Sequence, residues 1–219
     1  MKTYTIKLNH NILSPNIDWT GNIWKNTEHL EIDNYRPEGS DHHPKTSVKL
    51  CYNYNGIFSI YKVEDKYIRA VHNDFQGDVY KDSCVEFFVK PKDDKGYFNF
   101  EFNCIGNIIA GHKKGIVDGK KETCRFTKNE IDLIKVKTSL SGIIENEIKE
   151  PLTWYLSFFI PFSLFEKHIG NLKKISESSW KANFYKCGDK TSHPHWVSWS
   201  PVSELNFHLP ECFGKIIFE

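Results

Sequence analysis

Residues 82–103 leave this chain little choice of fold. Val85, Phe87 and Val89 alternate with Asp82, Cys84, Glu86 and Phe88, and a period of two marks a strand whose faces meet different surroundings. Residues 97–103 repeat the pattern without a break, Phe98, Phe100 and Phe102 on one face and Asn99, Glu101 and Asn103 on the other. The polar turn 92–96 between them ends in Gly96 and predicts a hairpin. Its phenylalanine face must be buried. Its other face gathers Glu86 with Asn99, Glu101 and Asn103, a polar row that an ordinary solvated strand does not need.

The rest of the chain agrees with a sheet. Tyr4, Ile6 and Leu8 alternate, and 46–52 with 57–63 form a second hairpin about the turn 53–56. Further short strands are expected at 67–72, 105–111, 123–127, 134–140, 154–160, 180–187 and 213–218, with a charged turn at 146–151. A helix signal occurs at 161–170, where Ser163 is expected as cap, Glu166 follows three residues on and Gly170 closes the turn. The pattern predicts an all-β fold, a β-sandwich of two antiparallel sheets (jelly-roll-like) with one short helix, in a single domain over 1–219. The polar stretch 9–44 has no period and is expected to be functional or to wrap the core. Trp154 and Trp180 fall in inward registers, whereas Trp19 and Trp24 have no assigned face.

Composition removes several function classes. Lys+Arg 29 against Asp+Glu 28 gives a net charge of +1, so no excess selects nucleic acid or an anionic membrane. The first ten residues lack the apolar run of a signal peptide, and no stretch is long and apolar enough to span a bilayer. The expected location is cytoplasmic, with secretion as the alternative. Six cysteines without a Cys-x-x-Cys pair are expected as buried free thiols.

Chemistry concentrates in 180–201, which holds Trp180, Trp196 and Trp199 beside Asn183, Lys186, Asp189, His193 and His195. Flat rings beside hydrogen-bonding groups suit a sugar, which offers a C–H face for stacking and a rim of hydroxyls that donate and accept. Tyr80, Trp196 and Trp199 are the candidate rings, and Arg69, Lys186, Glu86, Asn99, Glu101 and Asn103 the hydrogen-bonding groups. Glu86 and Glu101 opposed on neighbouring strands would also have the roughly 5 Å spacing of a retaining glycosidase pair. A third reading places all the rings in the core of a structural or interaction protein. Cys187, His193, His195, His208 and Cys212 match no zinc spacing, and nothing specifies a Cys187–His195 nucleophile. The stretch from Gly106 to Gly119 lacks the Lys-Ser/Thr of a phosphate loop. No cofactor is required, although the oxygen-rich 73–78 loop leaves room for a structural calcium.

Arg69-Ala70-Val71, Asp82-Ser83-Cys84-Val85-Glu86-Phe87-Phe88 and 97–103 with Gly106 resemble the carbohydrate-binding module family 9-like domain. So do 154–162 ending Ile-Pro-Phe, Asn183-Phe184-Tyr185-Lys186-Cys187-Gly188-Asp189, His195, Ser198-Trp199-Ser200-Pro201 and 207–211 with Phe213-Gly214. The resemblance covers nearly the whole chain. It implies a sugar-binding β-sandwich that holds a mono- or oligosaccharide, or a polysaccharide chain end, between two aromatic rings. It implies a setting in carbohydrate catabolism, since such modules are commonly attached to xylanases and related glycoside hydrolases, and some contain calcium. The ring before the Ser-Val-Glu strand falls here on Tyr80, a smaller face than the tryptophan usual there. Trp199 is then expected as the opposite ring, with Trp196 second.

Overall fold

The computed structural model describes residues 1–117 and 120–219, so the end of the Gly106–Gly119 stretch lies outside the described residues. In chain order the strands are β1 (Thr3–Leu8), β2 (Leu30–Ile32), β3 (Asn34–Tyr35), β4 (Lys45–Tyr52), β5 (Gly56–Asp65) and β6 (Ile68–Ala70). Then come β7 (Cys84–Lys90), β8 (Tyr97–Asn103), β9 (Ile108–Val117), β10 (Lys120–Arg125), helix α1 (Lys128–Ile131), β11 (Lys135–Thr138) and β12 (Ile144–Ile148). The chain ends with β13 (Leu152–Pro161), helix α2 (Phe162–Ile169), β14 (Ser179–Cys187), β15 (Trp196–Ser198) and β16 (Gly214–Phe218).

The expected all-β fold is present, but its sheet is mixed rather than two separate antiparallel sheets. One path runs β10-β9-β8-β7-β14-β16-β1-β4-β5-β13-β11, and β1 joins its halves by running parallel both to β16, through Thr3–Ile6, and to β4, through Lys7 and Leu8. The halves face one another across the predicted phenylalanine wall. Phe158 of β13 stacks on Phe102 at 5.1 Å and on Phe87 at 5.8 Å, and Tyr61 of β5 donates to the Glu86 carbonyl at 2.8 Å. Each fully buried Phe contributes roughly 1.5–3 kcal/mol, which fixes the register because a one-residue slip would expose the whole row.

Two further expectations are corrected. The described residues hold two α-helices rather than one, and Pro161, not Ser163, sits at the N-cap of α2. Proline suits a helix start, where its missing N–H has no partner to lose and its φ is already set. Gly170 (φ 72°) closes the helix. The charged turn expected at 146–151 begins instead as β12, which pairs with β6 in a small separate sheet.

The outer faces of the two halves differ, and that difference positions the site. Over β4 and β5 the N-terminal segment forms the expected wrap, burying Ile12 and Trp24 against Cys51, Phe58 and Ile60. Lys49 clamps it by donating to the carbonyls of Trp19 (3.1 Å) and Trp24 (2.9 Å). Over β7, β8 and β14 the C-terminal segment covers one end, where Val202 and Phe213 pack on Phe88, Tyr97 and Tyr185. The other end is left as a cavity.

Candidate functional site

Strand pairing builds the cavity floor. In β7 and β8, Glu86 lies opposite Glu101 and Phe88 opposite Asn99; in β7 and β14, Cys84 lies opposite Cys187. Alternation therefore sends Cys84, Glu86, Asn99, Glu101 and Cys187 to the outer face while Val85, Phe87, Phe98, Phe100 and Phe102 fill the core. β9 adds Ile109, Gly111 and Lys113, and β10 adds Thr123 and Arg125. All of these outer-face groups except Cys84, with Tyr80, Phe88, Asp189, Trp196 and residues 205–208, line a cavity of about 510 Å³, within the range of small-molecule sites.

Tyr80 and Trp196 are among its rings, with Phe88 and Phe207. Trp196 lies opposite Cys187 in the β15–β14 pairing, and its indole Nε1 donates to Asp189 Oδ1 at 2.7 Å. Tyr80 stands on the short turn Val79–Lys81, where its carbonyl accepts from the Asp189 N–H at 3.3 Å and lies 3.5 Å from the Cys187 sulfur. Buried Asp82 anchors the following turn by accepting from the backbone N–H groups of Val71 (3.1 Å) and His72 (2.9 Å). Asn103 and Arg69 donate to the same carboxylate at 3.0 and 3.1 Å. Neither lines the cavity; both hold the segment that carries Tyr80.

Two more expected residues lie elsewhere. Trp199 is 3% exposed, packs edge-on against Phe184 at 5.5 Å, and belongs to the core. Trp196 and Trp199 are three positions apart, and an odd separation along an extended chain sends them to opposite faces; Trp196, the second choice, is the one in the cavity. Lys186 is fully buried between the halves, where its ammonium donates to His195 Nε2 (2.6 Å) and the Cys187 carbonyl (3.0 Å) and lies 3.3 Å from Asp65 Oδ2. Its place in the β14 alternation, with Trp180, Ala182 and Phe184, carries the signal that sets it inward.

The floor is polar yet largely uncharged. Burial, with Cys187 and Glu101 nearby, holds the Glu86 carboxyl well above the usual carboxylate range. Burial also lifts Glu101 to about 7, against the opposing effect of its Asn99 hydrogen bond and of Lys113. The Cys187 thiol donates to Glu86 Oε1 at 3.1 Å, and Asn99 Nδ2 donates to Glu101 Oε1 at 2.9 Å. Asn99 Oδ1, almost wholly buried, has no hydrogen-bond partner among the described residues. An unpaired buried acceptor is costly, so this atom calls for a donor brought in from the cavity.

Among the described residues the ligand atoms of Cys84, Glu86 and Cys187 lie within 4.8 Å of one another, close enough to hold a metal ion. In the loop considered for calcium, Gln76 spends its amide on Ala110 and Phe126, and Asp78 pairs with Lys81. Of the residues considered for zinc, His193 stacks on Tyr67, His195 is hydrogen-bonded to Lys186, and His208 stacks on Phe88. Sequence reading missed Lys113, Arg125 and Asp189 as cavity residues. The alternation Ile109, Gly111, Lys113 was the available signal, weakened by the glycines around it.

The model of carbohydrate-binding family 9 matches residues 23–218. Among solved structures, a candidate carbohydrate-binding protein of Bacteroides uniformis ATCC 8492 is 31% identical, with a TM-score of 0.86 over 100% of this chain and 99% of that one. A family 9 carbohydrate-binding module from Caldicellulosiruptor kristjanssonii, solved with glucose, shares the fold at 14% identity and a TM-score of 0.67, covering 100% of this chain and 96% of that one. The same module solved with cellotriose gives 14% identity and a TM-score of 0.67, over 100% and 94%. No curated protein matches the chain. Among the described residues no helix is long and apolar enough to cross a membrane.

Proposed function

This chain belongs to carbohydrate-binding family 9, and we propose from that premise that it binds a carbohydrate, without turning it over, in the cavity flanked by Tyr80 and Trp196. Asn99 Oδ1, without a partner among the described residues, carries this reading, because it is a buried acceptor in a cavity that aromatic rings also line, Tyr80 and Trp196 among them. A sugar hydroxyl would donate to it, and the ring C–H face would stack on Tyr80 or Trp196. Glu86, kept neutral by burial, would donate to one hydroxyl and accept from another. The glucose and cellotriose seen with the Caldicellulosiruptor module support a mono- or oligosaccharide, or a chain end, as the ligand class. A setting in oligosaccharide or polysaccharide catabolism, xylan included, belongs to the same proposal.

Glycan-array binding of the purified chain, followed by titration of its tryptophan fluorescence, tests this. Sugar-dependent quenching that is lost in Trp196→Ala is expected; a chain that binds no sugar overturns the reading. The opposed Glu86 and Glu101 give hydrolysis its one supporting observation. A retaining pair needs one carboxylate ionised as nucleophile, however, and burial works against ionisation of both. Turnover of an aryl glycoside, abolished in Glu101→Gln, would reverse that ordering.

A further inference from the structure

One edge of the cavity differs from its floor. Lys113 on β9 lies opposite Thr123 of β10, and Arg125 lies opposite Gly111, so the two cations are diagonal neighbours on the same outer face, and the glycine between them carries no side chain. Both line the cavity. Lys113 is only partly exposed, and its ammonium makes no ion pair or hydrogen bond with the described residues; burial pushes its pKa down. Arg125 donates one N–H to the Gln76 carbonyl at 2.9 Å and pairs with no carboxylate of the described residues.

Nearby surface lysines behave differently. Lys114, next in the chain, pairs with Glu122, and Lys81 pairs with Asp78. Of the cavity's acids, Glu101 lies near enough to both cations for each to lower its pKa, yet burial still lifts it to about 7 and it forms no ion pair with either, while Glu86 is held toward its neutral form and Asp189, beside Trp196, accepts from the indole. A partly buried cation with no ion pair or hydrogen bond is costly, and a guanidinium fork beside an ammonium is matched to a carboxylate.

We infer that the sugar taken by this cavity is acidic, a hexuronic acid whose carboxylate lies between Lys113 and Arg125 while its ring occupies the space flanked by Tyr80 and Trp196. The inference rests on the sugar-binding reading and names its ligand class. The carboxylate replaces the neutral hydroxymethyl group of a hexose, so a uronic acid and its parent sugar differ at the position the cations select.

Calorimetric titration of the whole chain with methyl glycosides of glucuronic and galacturonic acid, each beside its neutral parent, tests it. At low salt at least one uronic acid is expected to bind about tenfold more tightly than its parent, the size of one charge-assisted hydrogen bond, and that ratio is expected to shrink at high salt. Lys113→Gln and Arg125→Gln should each bring the ratio toward one, while Lys113→Arg should keep it. The salt series needs no variant, so it decides the matter even if a substitution fails to fold. Parents that bind as tightly as their uronic acids overturn the acidic-sugar inference and leave sugar binding standing. If no sugar of either kind binds, the reading beneath it falls as well.

Discussion

Lys186 and Cys187 are neighbours on β14, and each opens onto a different buried polar cluster. Behind Lys186, between the two halves of the fold, Asp65 lies 2.7 Å from His42 Nε2, accepts from Trp154 Nε1 at 3.3 Å and pairs with the lysine. His195 Nδ1 donates to the His193 carbonyl at 2.9 Å, which leaves Nε2 to accept from Lys186. In front of Cys187, the cavity cluster contains an acceptor with no partner among the described residues and two acids that burial holds toward their protonated forms. The interior cluster is a closed network of opposite charges that fixes the fold. The cavity cluster leaves a buried acceptor open beside its volume. Buried polarity alone does not mark a site; incomplete pairing beside an open volume does.

The largest effects should come from opening the closed network. Asp65→Ala leaves Lys186 buried without its counter-ion, and breaking a buried pair in this way costs about 3–5 kcal/mol, readable as a lower urea midpoint at pH 7. Glu86→Gln replaces an already neutral acid by an amide that can still accept from Cys187, so its cost should stay within about 1 kcal/mol. An equal loss in both would show that the cavity cluster also holds the fold together, and the comparison would fail.

The two tryptophans of the 196–199 segment sharpen the same contrast. Trp199 fills the core against Phe184 and Gly214, so Trp199→Ala should lose about 3–5 kcal/mol of stability. Trp196→Ala, on the cavity wall, should cost much less stability while abolishing sugar-dependent quenching. If Trp199→Ala left stability intact and removed binding, the assignment of faces would be overturned.

pH should move the clusters in opposite directions. Burial and Lys186 push His195 down to about 3 from its ordinary 6.5, so the unfolded chain takes up the proton first as pH falls, and stability rises with pH between those values. Glu101 is lifted from 4.5 to about 7; its contribution is present below 4.5 and lost as pH rises through 7. Each slope is at most about 1.4 kcal/mol per pH unit. Urea unfolding at several pH values should show Glu101→Gln gaining on the wild type from pH 4.5 to 7, and His195→Gln gaining on it as pH falls below 6.5. Parallel curves for either variant would remove that residue from the account.

Much of this arrangement could be read from the sequence where alternation was unbroken. The β7–β8 hairpin, its phenylalanine wall and the Glu86, Asn99 and Glu101 row follow from period two alone, because each residue's face is set by parity. Asn103 has the right parity but sits at the end of its row, while Arg69, Lys186 and Trp199 were placed by residue type, and type does not distinguish a group that meets a ligand from one that braces the segment behind it. For Lys186 and Trp199 parity already held the answer: Trp180 inward requires Lys186 inward, and Trp199 follows Trp196 by three. The segment 9–44 could not be read in this way, since β2 and β3 are too short to show a period and take their partners, β4 and β15, from distant chain.

The smallest expected effect tests the cavity wall itself. Tyr80 carries its ring on a turn anchored through Asp82, Asp189 and Cys187, so its position is set by the backbone and not by its hydroxyl, for which no hydrogen bond to another described residue is found. Tyr80→Phe should therefore change sugar affinity by less than about threefold. Tyr80→Ala removes the stacking face and should weaken binding by roughly tenfold, given that aromatic contacts are worth about 0.5–1.5 kcal/mol beyond buried area. Tyr80→Trp enlarges that face on the same anchored turn and should tighten binding, by no more than roughly tenfold on the same scale. Titrating the three variants orders them as Trp, then Tyr with Phe, then Ala if stacking is the interaction. A Phe variant as weak as the Ala variant would mean that the phenol hydroxyl, not the ring face, meets the sugar.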